Sequence, residues 1–223
     1  KALLNKIEAG MLTLRRNEKD FLARKDMKYP DKFDCNFASM MLDVEALKQK
    51  LDTVGIDSAA AQQMKTVFDD YHQAFLQLVA IQQQQGLHEK DGLYGSLRQA
   101  VHEVESIVKS VADDKLMKDM LMLRRREKDF MLRWDMKYLD KFDQDVVVMQ
   151  NSLDGSPHSS STKQQIATML DSYADQFRQF VVLSQTKGLS SDQGLMGDMR
   201  STIHQSEDLM EQVAAEIEPV IVA

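Results

Sequence analysis

Apolar residues in the first 30 positions fall three and four apart, at Leu4, Ile7, Met11, Leu14 and Phe21, with charged and polar residues between them. At 3.6 residues per turn these positions form one stripe, which predicts an amphipathic helix over about 3–29 packed against other helices. Pro30 is expected to stop it, since proline has no N–H to give a helix interior. A second helix is predicted over about 31–51, a turn at 52–57 (DTVGID), and a long third helix from about Ser58 towards Val111. The rest reads the same way: about 114–138, then about 139–153, a Gly-, Pro- and Ser-containing loop at 154–161, and a return helix to about Pro219. At 1.5 Å per residue, the first two helices end to end span roughly 78 Å and the third roughly 80 Å. Two pieces rising and one descending then place the breaks near Pro30, Gly86–Gly95, Lys141 and Gly188–Gly197 at one level. The expected fold is all-α, six helices forming two stacked antiparallel four-helix bundles. The lower bundle is expected over about 1–29, 93–138 and 195–223, and the upper over about 30–92 and 139–194.

The pattern is written twice. MLTLRRNEKDFLARKDMKYPDKF (11–33) returns as MLMLRRREKDFMLRWDMKYLDKF (120–142), identical at 17 of 23 positions and 109 residues on. GLYGSLRQAVHEVE (92–105) returns as GLMGDMRSTIHQSE (194–207), here 102 residues on, and 63–87 matches 165–189 at that same offset. The chain is therefore an internal duplication, its length difference absorbed in a mid-repeat loop.

Composition narrows the class. Three prolines and nine glycines in 223 residues favour helix throughout over a turn-rich sheet protein. A net charge of −7 argues against a nucleic-acid surface. The lone Cys35 cannot form an internal disulfide, so cysteine usage leaves the compartment open. No signal peptide and no apolar run of about 18 residues is present, and the abrupt start at Lys1 and the apolar ending read as a fragment of a longer chain. No nucleophile elbow, phosphate loop or CxxC motif appears, so no enzyme and no cofactor is expected. His102-x-x-Glu105 and His204-x-x-Glu207 invert the order a di-iron bundle uses, and no metal site is expected. The 15 methionines are assigned to core packing, as are Tyr71, Phe75, Tyr173 and Phe177, with the tyrosine hydroxyls left as possible pocket groups.

The chemistry left over is cationic. Glu18 lies on the apolar stripe between Leu14 and Phe21; Arg15 sits about 80° from its centre and Arg16 about 180°. Arg15 and its copy Arg124 are therefore expected to reach inward, and Arg16 and Arg125 outward; a rotation by one position would exchange the roles. Arg98, His102 and Glu105, with their copies Arg200, His204 and Glu207, run beside the apolar stripe of the later helices. Guanidinium forks match carboxylates bidentately and keep their charge. Arg15, Arg98, Arg124 and Arg200 are thus candidate ligands for a di- or tricarboxylate, Arg15 facing Arg124 and Arg98 facing Arg200. Arg16, Arg125, His102 and His204 are accessory candidates, the histidines read chiefly as structural hydrogen-bonding groups. The alternative is a structural salt-bridge layer in which Glu18, Glu127, Asp20, Asp129, Glu105 and Glu207 satisfy the arginines.

LRRNEKDFLARKDMKY and LRRREKDFMLRWDMKY, set in a duplicated helical chain, resemble the helical bimodular (HBM) sensor domain of bacterial chemoreceptors and sensor histidine kinases. The resemblance covers essentially the whole chain. It implies the periplasmic domain of an inner-membrane protein, joined to the membrane only through flanking transmembrane helices absent from this sequence. It also implies a homodimer, a proximal module that takes a small organic acid such as a C4 dicarboxylate, and a distal module that takes acetate or a similar acid. The expected function is ligand sensing for chemotaxis across the membrane. The alternative is a histidine-kinase module that binds a periplasmic partner protein.

Overall fold

The twice-written Asp-Met-Lys-Tyr is where the chain reverses. The computed structural model describes the backbone of residues 1–222 and the side chains of residues 1–220. Its first helix, α1, spans Ala2–Arg24 and ends on Lys25, a left-handed residue (φ 52°) whose N–H returns to the Phe21 carbonyl at 2.7 Å. Asp26 Oδ1 then accepts the Lys28 backbone N–H at 2.9 Å, and α2 (Lys28–Thr53) begins. The second copy does the same: α5 (Asp114–Arg133) ends on left-handed Trp134 (φ 53°), Asp135 Oδ1 accepts the Lys137 N–H at 2.9 Å, and α6 (Lys137–Asp154) begins. The motif encodes a tight helical hairpin. The expected break at Pro30 is corrected accordingly: Pro30 sits in the first turn of α2, where a missing N–H costs nothing.

The predicted third and return helices are each divided as well. α3 (Ala59–Gln85) and α4 (Gly92–Ser110) are separated by a short loop, as are α7 (Ser160–Lys187) and α8 (Gly194–Val222). Gly86 opens the first loop at φ +117°, where a Cβ would stand 2.2 Å from the Asp91 carbonyl oxygen; Asp91 Oδ2 accepts the Leu87 N–H at 3.0 Å across it. Gly188 takes φ 120° at the matching place. The count among the described residues is thus eight helices and no strand, all-α as expected but not six helices.

The chain divides into two compact units: Lys1–Gln82 with the segment from Ser191 onward, and Gln83–Ser190. Unit 1 holds α1, α2, most of α3, and α8. Unit 2 holds α4, α5, α6 and α7. In repeat terms α1–α3 correspond to α5–α7 and α4 to α8, so each unit takes three helices from one half of the duplication and its fourth from the other. This differs from the expected domains. Residues 1–29 and 195–222 do share a unit, but with 30–82, whereas 93–138 joins 139–190. Ala223 lies outside the described residues. The hairpins explain the change, because a reversal at residue 26 lays α2 beside α1 instead of continuing it.

Within each unit successive helices run antiparallel. In unit 1, Gly10 of α1 lets the Met40 side chain of α2 approach, Asn36 donates to Asn17 at 2.9 Å, and Ser206 of α8 reaches Met11 of α1. In unit 2, Arg126 bonds Asp145 at 2.8 Å, Arg178 bonds Asp143 at 3.0 Å, and the rings of Tyr94 and Phe180 meet edge-on at 5.0 Å. Asp113 caps α5 by accepting the Leu116 N–H at 3.0 Å and also binds His158 at 2.8 Å, tying the α6–α7 loop to the same end of unit 2 as the α4–α5 turn. Phe21, Phe33, Phe75 and Tyr71 fill unit 1, and Phe130, Phe142, Phe177 and Tyr173 fill unit 2, all fully buried. Each such ring contributes about 1.5–3 kcal/mol by leaving water.

Candidate functional site

The duplicated motif helices α1 and α5 each carry one carboxylate on the apolar stripe, and each finds a tyrosine. Tyr71 of α3 donates to Glu18, and Tyr173 of α7 donates to Glu127 at 2.6 Å. Burial raises both glutamates above the usual carboxylate range; the tyrosine hydrogen bonds and the nearby Arg15 and Arg124 guanidiniums oppose that rise. Burial, and then the facing carboxylate, hold both phenols far above their ordinary value. A carboxylate inside a bundle is tolerated because hydroxyl and guanidinium replace part of the lost water. Sequence reasoning assigned the tyrosines to the core and missed the pairing. The available signal was that Glu18 and Glu127, like Tyr71 and Tyr173, recur at matching core positions.

Above this layer the units differ. In unit 1, Arg15 and Glu18 border a surface cleft of about 480 Å³ with Lys19, Met199, Arg200 and His204. Arg15 has no carboxylate within salt-bridge distance among the described residues; Glu207, one turn along α8, stands 3.6 Å from His204 instead. In unit 2 the copy of Glu207 is Glu105, and its Oε1 holds Arg124 Nη1 at 2.8 Å. Arg124 then faces a groove of about 790 Å³ shared with His102, Glu105, Lys109 and Asp113.

The expected pairs, Arg15 with Arg124 and Arg98 with Arg200, join residues of different units. Arg15 and Arg200 belong to unit 1; Arg98 and Arg124 belong to unit 2. The four do not form one cradle within either unit. Arg200 bonds Asp192, and Arg98 reaches Glu89 at 3.5 Å, each in the loop before its own helix. Arg16 and Arg125 are exposed, the latter 4.0 Å from Asp129. His102 and His204 are exposed on α4 and α8. Among the described residues no group of three or more His, Cys, Asp or Glu could hold a metal ion, and no helix is long and apolar enough to cross a membrane.

Comparison with protein-family models finds none that matches the chain, and comparison with curated proteins finds no match. The functional reading therefore rests on the residues. The unit 1 cleft sets three permanent cations, Arg15, Lys19 and Arg200, beside apolar Leu22, Met196 and Ile203. Its one carboxylate, Glu18, is already engaged by Tyr71. Such a cleft can bind an anion with a short apolar body.

Proposed function

We propose that the chain is the ligand-binding part of a bacterial transmembrane sensor of the helical bimodular kind, its two units being the two modules, and that unit 1 recognises a small di- or tricarboxylate. One observation supports this reading: among the described residues Arg15 borders the cleft with no carboxylate within salt-bridge distance, its neighbour Glu18 being engaged by Tyr71, while its copy Arg124 is held by Glu105. Were the duplicated arginines purely structural, both copies would be satisfied from within. A guanidinium at the mouth of a half-apolar cleft is instead ready for a carboxylate from outside, with Lys19 placed for a second one, Arg200 being paired with Asp192. The output is a chemoreceptor response, the domain being periplasmic, dimeric and linked to the membrane by flanking helices.

Isothermal titration calorimetry with succinate tests the proposal. Wild type is expected to bind one equivalent. Arg15→Ala should weaken binding by about 2–5 kcal/mol, thirtyfold or more. Arg16→Ala, on the exposed face, should bind as wild type does. Equal affinities for wild type and Arg15→Ala would remove the cleft from the function. The second reading, docking of a partner protein by unit 2, draws on the exposure of Leu132, Val147 and Val148; it predicts tight protein capture in the absence of any acid binding.

A further inference from the structure

We infer that Tyr71 is a positioning residue that keeps Arg15 open: by holding Glu18 in the core it denies Arg15 the carboxylate one turn along its own helix. The consequence for ligand binding rests on the reading of the unit 1 cleft as an anion site; the positioning itself does not.

Glu18 follows Arg15 by three residues on α1, and side chains at that spacing are neighbours on a helix surface. The same order and spacing closes on α8, where His204 and Glu207 stand 3.6 Å apart. The reverse order closes on α7, with Asp175 and Arg178 at 3.4 Å. Arg15 and Glu18 are not within ion-pair distance, although both border the cleft. What differs is a competing donor. Tyr71 of α3 is fully buried and donates to Glu18 Oε2. Unit 2 repeats the arrangement: Tyr173 donates to Glu127 at 2.6 Å, and Arg124, three residues before Glu127, bonds Glu105 instead. In both copies a tyrosine takes the glutamate and leaves the arginine to another partner.

A carboxylate turned into an apolar bundle is costly unless a donor meets it there. The phenol is that donor, and it stays protonated because burial, and then the facing carboxylate, hold its titration far above the ordinary tyrosine range. Without the hydroxyl the inward orientation of Glu18 loses its hydrogen bond. The Arg15 guanidinium is already near enough to offset, after the Tyr71 hydrogen bond, part of the rise that burial causes in Glu18. It then becomes the better partner, and the cleft closes on its own carboxylate.

Removing the hydroxyl in the full chain tests this. A double-mutant cycle of Arg15→Ala and Glu18→Gln, read by urea unfolding, should give an Arg15–Glu18 coupling about twofold or more larger, as a ratio of unfolding constants, in a Tyr71→Phe background than in wild type. A merely structural tyrosine would lower stability without changing that coupling. By calorimetry, Tyr71→Phe should bind succinate about twofold to fivefold more weakly than wild type, and Tyr71→Phe with Glu18→Gln should regain at least the wild-type affinity. Tyr71→Met provides a second removal of the hydroxyl. If neither Tyr71→Phe nor Tyr71→Met folds while both fold once Glu18→Gln is added, Arg15 does not accept Glu18 and the inference is overturned. Equal coupling in the two backgrounds also overturns it, and Arg15-dependent succinate binding would then leave the unit 1 reading in place. A raised coupling with no acid bound by any variant supports the role of Tyr71 and overturns the unit 1 reading. A raised coupling with succinate bound equally by wild type and Tyr71→Phe would overturn the link between the tyrosine and the cleft.

Discussion

In unit 1 the α1–α2 hairpin is bridged by Asn17 and Asn36, 2.9 Å apart; in unit 2 the same two repeat positions hold Arg126 and Asp145, 2.8 Å apart. Asp34 meets His72 at 3.1 Å in the first unit, and its copy Asp143 meets Arg178 at 3.0 Å in the second. The apolar layers hardly differ: Leu14 and Leu123, Phe21 and Phe130, Phe33 and Phe142, Phe75 and Phe177 are all fully buried. Packing volume is a constraint shared with every neighbour, so core positions of the two copies stay alike. A polar bridge has one partner, so it can be replaced provided neither end is left unpaired. In the arginine–glutamate pair neither end changes, yet Glu105 meets Arg124 while Glu207 stands beside His204.

The largest test of the shared core is a pair of truncations. Phe33→Ala and Phe142→Ala should each cost about 3–5 kcal/mol in urea unfolding of the whole chain. A loss in one unit without a comparable loss in the other would mean that the copies do not bear equal weight.

The polar bridges should separate the units. Asn36→Ala strands Asn17, which is only 6% exposed, and should cost about 1–3 kcal/mol. Asp145→Ala leaves Arg126 with access to water and should cost about 1 kcal/mol or less. Thermal unfolding of the two variants ranks them; the reverse order would place the better-shielded bridge in unit 2.

The smallest effect is a trend with pH. Glu18 and Glu127 titrate above the usual carboxylate range in the folded protein, so the native state binds protons that the unfolded chain has released. The stability this contributes is complete below the ordinary glutamate range and is lost as pH rises through the raised values. Glu18→Gln and Glu127→Gln should therefore gain relative to wild type as pH is raised from about 4 to 7, by similar amounts in the two units. Parallel urea curves at the two pH values measure the trend; a relative gain on acidification would contradict burial as the dominant cause.

Much of this architecture is legible along the chain. The three-and-four spacing from Leu4 to Phe21 correctly marks the buried face, the duplication correctly pairs α1 with α5 and α4 with α8, and Asp113 or Asp114 is legible as a helix cap, a choice that the structure makes for Asp113. Arg15 borders the unit 1 cleft and Arg16 is exposed. Periodicity did not reveal the reversals. Lys25 and Trp134 adopt positive φ without being glycine, and no break in the apolar rhythm announces them. Pro30 and Lys141 drew attention a few residues too late. A stripe records that a face is covered but not which helix covers it, because burial by any apolar neighbour satisfies the same pattern. The exchange of fourth helices between the halves follows from contacts between segments far apart in the chain. So does the fate of the arginines: Glu105 and Glu207 are the same residue at the same repeat position, yet within two different units one meets Arg124 and the other stands beside His204.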